Sequence, residues 1–245
     1  MSIPIEEQPA FLIHSRKYTD SRILVELLTR DYGRVSAVLR QGGKSRRQIK
    51  IQPFTPLLVS WKGSGGLKTV TYNEMSGAAI HLLSDNLFCG MYLNELLLRC
   101  LPQEDACEAV YSLYYKTVSA ISILDFDSEQ ADVEAALRVF EFTLLGELGF
   151  GIDMYCDIHQ SEIVQGSDLL YRFEEGLGFV PVFSEVRDTP ERFGANLIFP
   201  ADVIVALREA RFDERILKYA KMFSRQVLRP LLGDRPLNSR ALFTR

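Results

Sequence analysis

Residues Arg22–Arg40 read RILVELLTRDYGRVSAVLR. Arg22–Thr29 and Gly33–Arg40 are short segments rich in apolar and β-branched residues, and Tyr32-Gly33 between them is a turn signal. That pattern predicts a β-hairpin. Segments of the same kind lie to either side: Ala10–Tyr18 (AFLIHSRKY), Thr55–Trp61 (TPLLVSW) and Leu67–Glu74 (LKTVTYNE), with Gly63-Ser64-Gly65-Gly66 as a second turn. Five short strands between residues 9 and 75 predict a small closed barrel. An OB-fold is the commonest five-stranded case.

Beyond residue 80 the period becomes helical. Val110, Leu113, Tyr114, Thr117, Val118 and Ile121 form one stripe, and Val133, Ala136, Leu137, Phe140, Leu144 and Leu148 form another. Ser128 is a candidate N-cap for the second helix, with Gly149 or Gly151 at its end. Leu169–Phe183 reads as a hairpin turning near Glu174, Glu175 and Gly176, inside an irregular stretch at about 153–185. A last long helix is expected from Asp213, stopped by Pro230. The fold expected is therefore α+β and multidomain. A five-stranded OB-fold barrel covers residues 1–79, and a mainly helical domain with a small irregular β insert covers residues 80–245.

The net charge of −4 hides an uneven distribution. Arg16–Lys50 carries ten basic residues against Asp20, Glu26 and Asp31. Residues 104–134 invert the balance, with eight acids against Lys116. Local fields of this kind steer polyanions better than the total suggests. No signal pattern opens the chain, and no apolar run reaches the roughly 18 residues of a membrane span. Cys89, Cys100, Cys107 and Cys156 show no paired spacing, which fits a reduced cytosolic compartment.

Arg40–Arg47 (RQGGKSRR) poses a choice between a nucleotide loop and a basic surface. A phosphate loop needs G-x-x-x-x-G-K-[ST] opening a helix. Here Val38 stands at the first glycine, and Pro53 and Pro56 follow a stretch without helical period. The basic-surface reading is the better one, with Arg34, Arg40, Lys44, Arg46, Arg47 and Lys50 as candidate phosphate contacts. Tyr18, Tyr32, Phe54 and Trp61 are candidate stacking platforms, though aromatics more often pack inside.

Five stretches carry a family likeness: His14–Arg47, Ile51–Gly63 (IQPFTPLLVSWKG), Met91–Arg99 (MYLNELLLR), Leu137–Gly151 (LRVFEFTLLGELGFG) and Arg229–Phe243 (RPLLGDRPLNSRALF). In order, they resemble the RecO family of bacterial recombination mediators. The resemblance implies an OB-fold followed by a helical domain. It implies binding of single- and double-stranded DNA, strand annealing, and docking of the C-terminal tail of single-stranded DNA-binding protein. It further implies a complex with RecR that helps load RecA, with RecF in the same pathway, and a cytoplasmic, nucleoid-associated protein that is not an enzyme. Some members carry two CxxC pairs for zinc. Here Cys156-Asp-Ile-His159 is a half-site without a second half, so no metal and no cofactor is expected.

Arg138, Phe142 and Leu145 share a helix stripe distinct from the Val133–Leu148 stripe. A cation above an apolar patch suits a peptide ending in an aromatic residue and a free carboxylate. The resemblance implicates Arg138, and Lys218 on the later helix, in tail docking. The plainer alternative is a helix ion pair between Glu134 and Arg138. Two rival functions remain: an RNA-binding OB protein, and a nucleotide hydrolase or nuclease, for which the sequence holds no complete motif.

Overall fold

The computed structural model describes residues 4–40, 49–125, 129–182, 192–193 and 196–243, and the side chains of Arg192, Phe193, Asn196 and Phe243 are left undescribed. The chain forms two compact units, Met1–Phe126 with Asp234–Arg245, and Asp127–Gly233.

In the first unit, β1 (Ile5–Thr19), β2 (Arg22–Thr29), β3 (Gly33–Arg40), β4 (Leu57–Lys62) and β5 (Lys68–Met75) close a barrel in the order β1-β2-β3-β5-β4. The expected five strands and the hairpin are therefore present. Alternation sets the inside: Ala10, Leu12, Val25, Leu27, Val35, Ala37, Leu39, Val59, Trp61 and Val70 are buried together. Closure between β3 and β5 is short and parallel, pairing Ala37 with Lys68 and Val38 with Thr69.

Within β1, Ala10–Ile13 are apolar on both faces because the outer face is covered there too. Phe11 packs against Tyr111, Tyr114 and Tyr115 of α2 (Glu108–Ser122), with ring centroids 5.1–5.7 Å apart. The Tyr114 hydroxyl donates to Asn94 Oδ1 at 2.7 Å, tying α2 to α1 (Ser84–Cys100). Burial pushes that phenol strongly upward, so it is a permanent donor. A final 3-10 helix, Asn238–Phe243, is held on α1 by the Glu95 carboxylate. It accepts from Asn238 N at 2.9 Å, Ser239 N at 2.8 Å and Ser239 Oγ at 2.6 Å.

Gly33 opens β3 at φ +63°, and a Cβ there would stand 1.8 Å from the Asp105 carbonyl oxygen. Any larger residue would force residues 101–105 away from the barrel.

The second unit holds α3 (Gln130–Glu147), β6 (Leu170–Glu174), β7 (Gly178–Val182), β8 (Arg192–Phe193), β9 (Asn196–Pro200), α4 (Ala201–Arg208) and α5 (Glu214–Leu232). The sheet order is β7-β6-β9-β8. Its core is aromatic: Phe173 and Phe199 each lie 4.9 Å from Phe223, and Phe179 lies 5.7 Å from it. Burying each such ring contributes roughly 1.5–3 kcal/mol.

Asp213 caps α5, accepting from Ile216 N at 2.7 Å. Pro230 does not stop this helix as expected; it lies inside, and the end comes at Gly233 with φ +61°. So close to the C-terminus a proline removes one bond, and the glycine supplies the left-handed conformation that terminates the helix. The expected cap Ser128 lies outside the described residues.

Candidate functional site

The outer face of the β2–β3 hairpin carries most of the described cations in question. Strict antiparallel register places Glu26 opposite Ser36, Leu28 opposite Arg34 and Arg22 opposite Arg40. The two ends of this face differ.

At one end the face is sealed. Arg34 Nη1 donates to Glu26 Oε2 at 3.0 Å, and Arg34 Nε donates to the Leu101 carbonyl at 3.0 Å. The Ser36 hydroxyl reaches Glu26 at 2.7 Å, and Gln103 Nε2 donates to Ser36 Oγ at 2.7 Å. Glu104 N donates to the Arg34 carbonyl, and its carboxylate pairs with Lys68 Nζ at 2.9 Å. The Arg34 side chain is 16% exposed and Glu26 10%. Arg34 is thus engaged internally and is less available to a phosphate than Arg40 and Lys50, the other described candidates.

At the other end the face is open. Arg22 and Arg40 are both exposed, and they line a cleft of about 570 Å³ with Tyr18, Val38, Leu67, Lys68, Thr69 and Val70. No ion pair or hydrogen bond of either guanidinium is found among the described residues. Tyr18 is 54% exposed. It is also the extra residue of a β-bulge, since Lys17 pairs with Ile23 and Thr19 with Arg22. Bulges bend a strand and re-aim a side chain. Lys50 is exposed, whereas Lys44, Arg46 and Arg47 lie outside the described residues. Of the other candidate platforms, Phe54 and Trp61 are core residues at 6% and 2% exposure. Tyr32 stands edge-on to Trp61 at 5.5 Å.

On the second unit, the stripe expected to be free is largely buried. Arg138 is 7% exposed and Leu145 is 1%. Arg138 Nη2 pairs with Glu141 at 2.7 Å, and Nη1 donates to Ser224 Oγ of α5 at 3.1 Å. The alternative, a Glu134–Arg138 pair, does not form, because Arg138 points into the α3–α5 packing. Glu134 instead accepts from Lys221 at 3.4 Å. Lys218 pairs with Glu214 at 2.8 Å on an exposed face. Phe142 and Leu145 do meet, in a cavity of about 350 Å³ that Val139, Met154, Phe212 and Arg208 also line. The Arg208 guanidinium lies 4.5 Å from the centroid of the Tyr155 ring.

The Cys156–His159 turn is built by carboxylates. Asp157 Oδ1 accepts from His159 N at 2.8 Å and Ser161 N at 3.0 Å, and Asp153 Oδ1 accepts from Tyr155 N at 2.7 Å. Among the described residues no three His, Cys, Asp or Glu side chains are grouped to hold a metal ion. A structural zinc wants four ligands, and the residues of this turn do not fit one. Burial pushes the Cys100 thiol up to about 11, so it is protonated at neutral pH.

A family model described as Recombination protein O N terminal matches residues 1–78, and one described as Recombination protein O C terminal matches residues 84–241. The chain belongs to the RecO family. The DNA repair protein RecO of Psychromonas ingrahamii is 37% identical over 244 residues, which is 98% of each chain. That of Haemophilus influenzae is 37% identical over 98% of this chain and 96% of its own. That of Cellvibrio japonicus is 37% identical over 98% of this chain and 97% of its own. RecO membership gives the chain a role in DNA repair and recombination, and no helix of the described residues is long and apolar enough to cross a membrane.

Two of the residues that line these sites are not among the candidates read from the sequence: Arg22 and Arg208. Arg22 had a signal, its place in the basic stretch Arg16–Lys50, and the turn Arg30–Tyr32 sets it opposite Arg40. Arg208 had none, since its neighbours Met154 and Phe142 are far away in sequence.

Proposed function

We propose that the chain is a non-enzymatic mediator of recombinational repair. It binds single- and double-stranded DNA and anneals complementary strands. It docks the C-terminal tail of single-stranded DNA-binding protein, and with RecR it helps load RecA, with RecF in the same pathway. Its place of action is the cytoplasmic nucleoid. The carrying observation is a RecO-family barrel with an open cationic end whose arginines lack acidic partners among the described residues.

Annealing needs no bond made or broken. Duplex DNA carries about one charge per 1.7 Å of axis, so cations that neutralise phosphates lower the repulsion between two strands. Arg40 and Lys50 are exposed for this task. Lys44, Arg46 and Arg47 continue the basic stretch, and Arg34 supports the hairpin that presents it. In this reading residues 1–79 are the DNA-binding domain and residues 80–245 the helical domain.

For the tail, Phe142 and Leu145 offer an apolar cavity. Arg208 lines it and suits a terminal carboxylate. Arg138 braces the wall from behind, through Glu141 and Ser224, and Lys218 adds positive charge on α5.

The test is a titration of labelled single-stranded DNA over a salt series, with and without the tail peptide. Binding should weaken linearly in log–log form as salt rises. The peptide should bind without displacing DNA. Preference for RNA over DNA of equal length, or ATP turnover, would replace this reading.

A further inference from the structure

The open end of the hairpin combines three features that a structural role does not account for. Arg22 and Arg40 face each other directly across two antiparallel strands. Such neighbours have Cβ atoms about 4.5–5.5 Å apart, and like charges there destabilise the sheet. The nearest acid in the turn, Asp20, already pairs with Lys17 at 2.7 Å. The third cation of the cleft, Lys68, is matched by Glu104. The repulsion between the two arginines is therefore offset by nothing described in the chain, and an external anion would relieve it.

Tyr18 is the second feature. A tyrosine 54% exposed, carried on the extra residue of a bulge and lining the same cleft, presents a ring to solvent. The third is the apolar wall: Val38 and Leu67 lie beside the two arginines. Cations, an aromatic face and an apolar wall together match a phosphate linked to a flat base.

We infer that this cleft is a single-strand-selective nucleic-acid site, in which Arg22 and Arg40 clamp one backbone phosphate and Tyr18 stacks on an unpaired base. The inference rests on the DNA-binding reading above and deepens it. Selectivity follows from access. In a duplex the faces of the bases are stacked on one another, so only a single strand can offer one to Tyr18.

The test measures equilibrium binding of the full chain to three labelled probes: oligothymidylate, a duplex, and an abasic strand of the same length. Tyr18→Ala should weaken oligothymidylate binding by on the order of tenfold, while leaving the duplex and the abasic strand within about twofold. Tyr18→Phe should restore oligothymidylate binding, because stacking needs the ring and not the hydroxyl. Arg22→Ala and Arg40→Ala should weaken all three probes, and each should flatten the single-strand salt slope by up to about 0.7. Equal losses on all probes for Tyr18→Ala, or no loss on oligothymidylate, would overturn the stacking role. Unchanged salt slopes for both arginine variants would overturn the clamp. Wild-type protein that binds no probe would instead sink the DNA-binding reading itself. Matched thermal melts exclude misfolding for these exposed positions.

Discussion

Arg34 and Arg40 lie near the two ends of the same strand and project from the same outer face, yet they have opposite fates. Arg34 is locked between Glu26 and the Leu101 carbonyl under the segment 101–105. Arg40 stands beside another arginine at an open cleft. The second unit shows no such clean split. Arg138 is buried against Glu141 and Ser224, and Arg208, which lines a cavity, also donates to the Met154 and Ile163 carbonyls and lies 3.8 Å from Glu209. A cation in a basic stretch is part of the fold where an acid and a carbonyl are brought to it. It is available to a ligand where they are not.

The sharpest way to break this comparison is stability. Removing one partner of a buried pair leaves an uncompensated charge and costs about 3–5 kcal/mol. Arg138→Ala, whose partner Glu141 is 0% exposed, should fall in that range by urea denaturation. Arg34→Ala should cost somewhat less, because Glu26 keeps the Ser36 hydroxyl and some solvent. Either variant melting like the wild type would show that the internal network is not what these arginines serve.

Arg40→Ala should leave stability within about 0.5 kcal/mol, as exposed substitutions do. Its effect should appear in the salt dependence of DNA binding. A destabilisation comparable to that of Arg34→Ala would erase the distinction between the two ends of β3.

The smallest effect concerns acid pH. Burial pushes the Glu95 carboxyl upward, but the hydrogen bonds from Ser239 and Asn238, with nearby Arg99, outweigh it and hold the group below its ordinary value. A depressed carboxylate contributes stability above its unfolded pKa and loses it as pH falls through the folded one. Below pH ~4.5 the final 3-10 helix should therefore loosen from α1, read as faster hydrogen exchange over residues 238–243. Glu95→Gln should exchange faster at neutral pH and show less of the acid step.

How much of this was legible before the fold? The barrel was, because period-two patterning and two turn signals act locally. The hairpin was too, but not its register: the sequence marks the turn at Tyr32-Gly33, whereas the three-residue turn Arg30–Tyr32, which pairs Thr29 with Gly33, is what sets Arg22 opposite Arg40. The C-terminal stop was misplaced, because a proline near a helix end is tolerated and the glycine decides. The stripe of Arg138 looked free because periodicity tells which residues share a face, not how many faces are covered.

The sequence by itself determined five strands, their alternation and a basic face on one hairpin. Only the tertiary structure decided which end of that face closes. Closure depends on Leu101 and Gln103 arriving from 67 residues away to meet Arg34 and Ser36, and on Glu104 arriving from 36 residues away to meet Lys68. Hydrogen bonds and ion pairs form at 3 Å separations that no local pattern encodes. The same short range leaves Arg22, Arg40 and Tyr18 open at the other end.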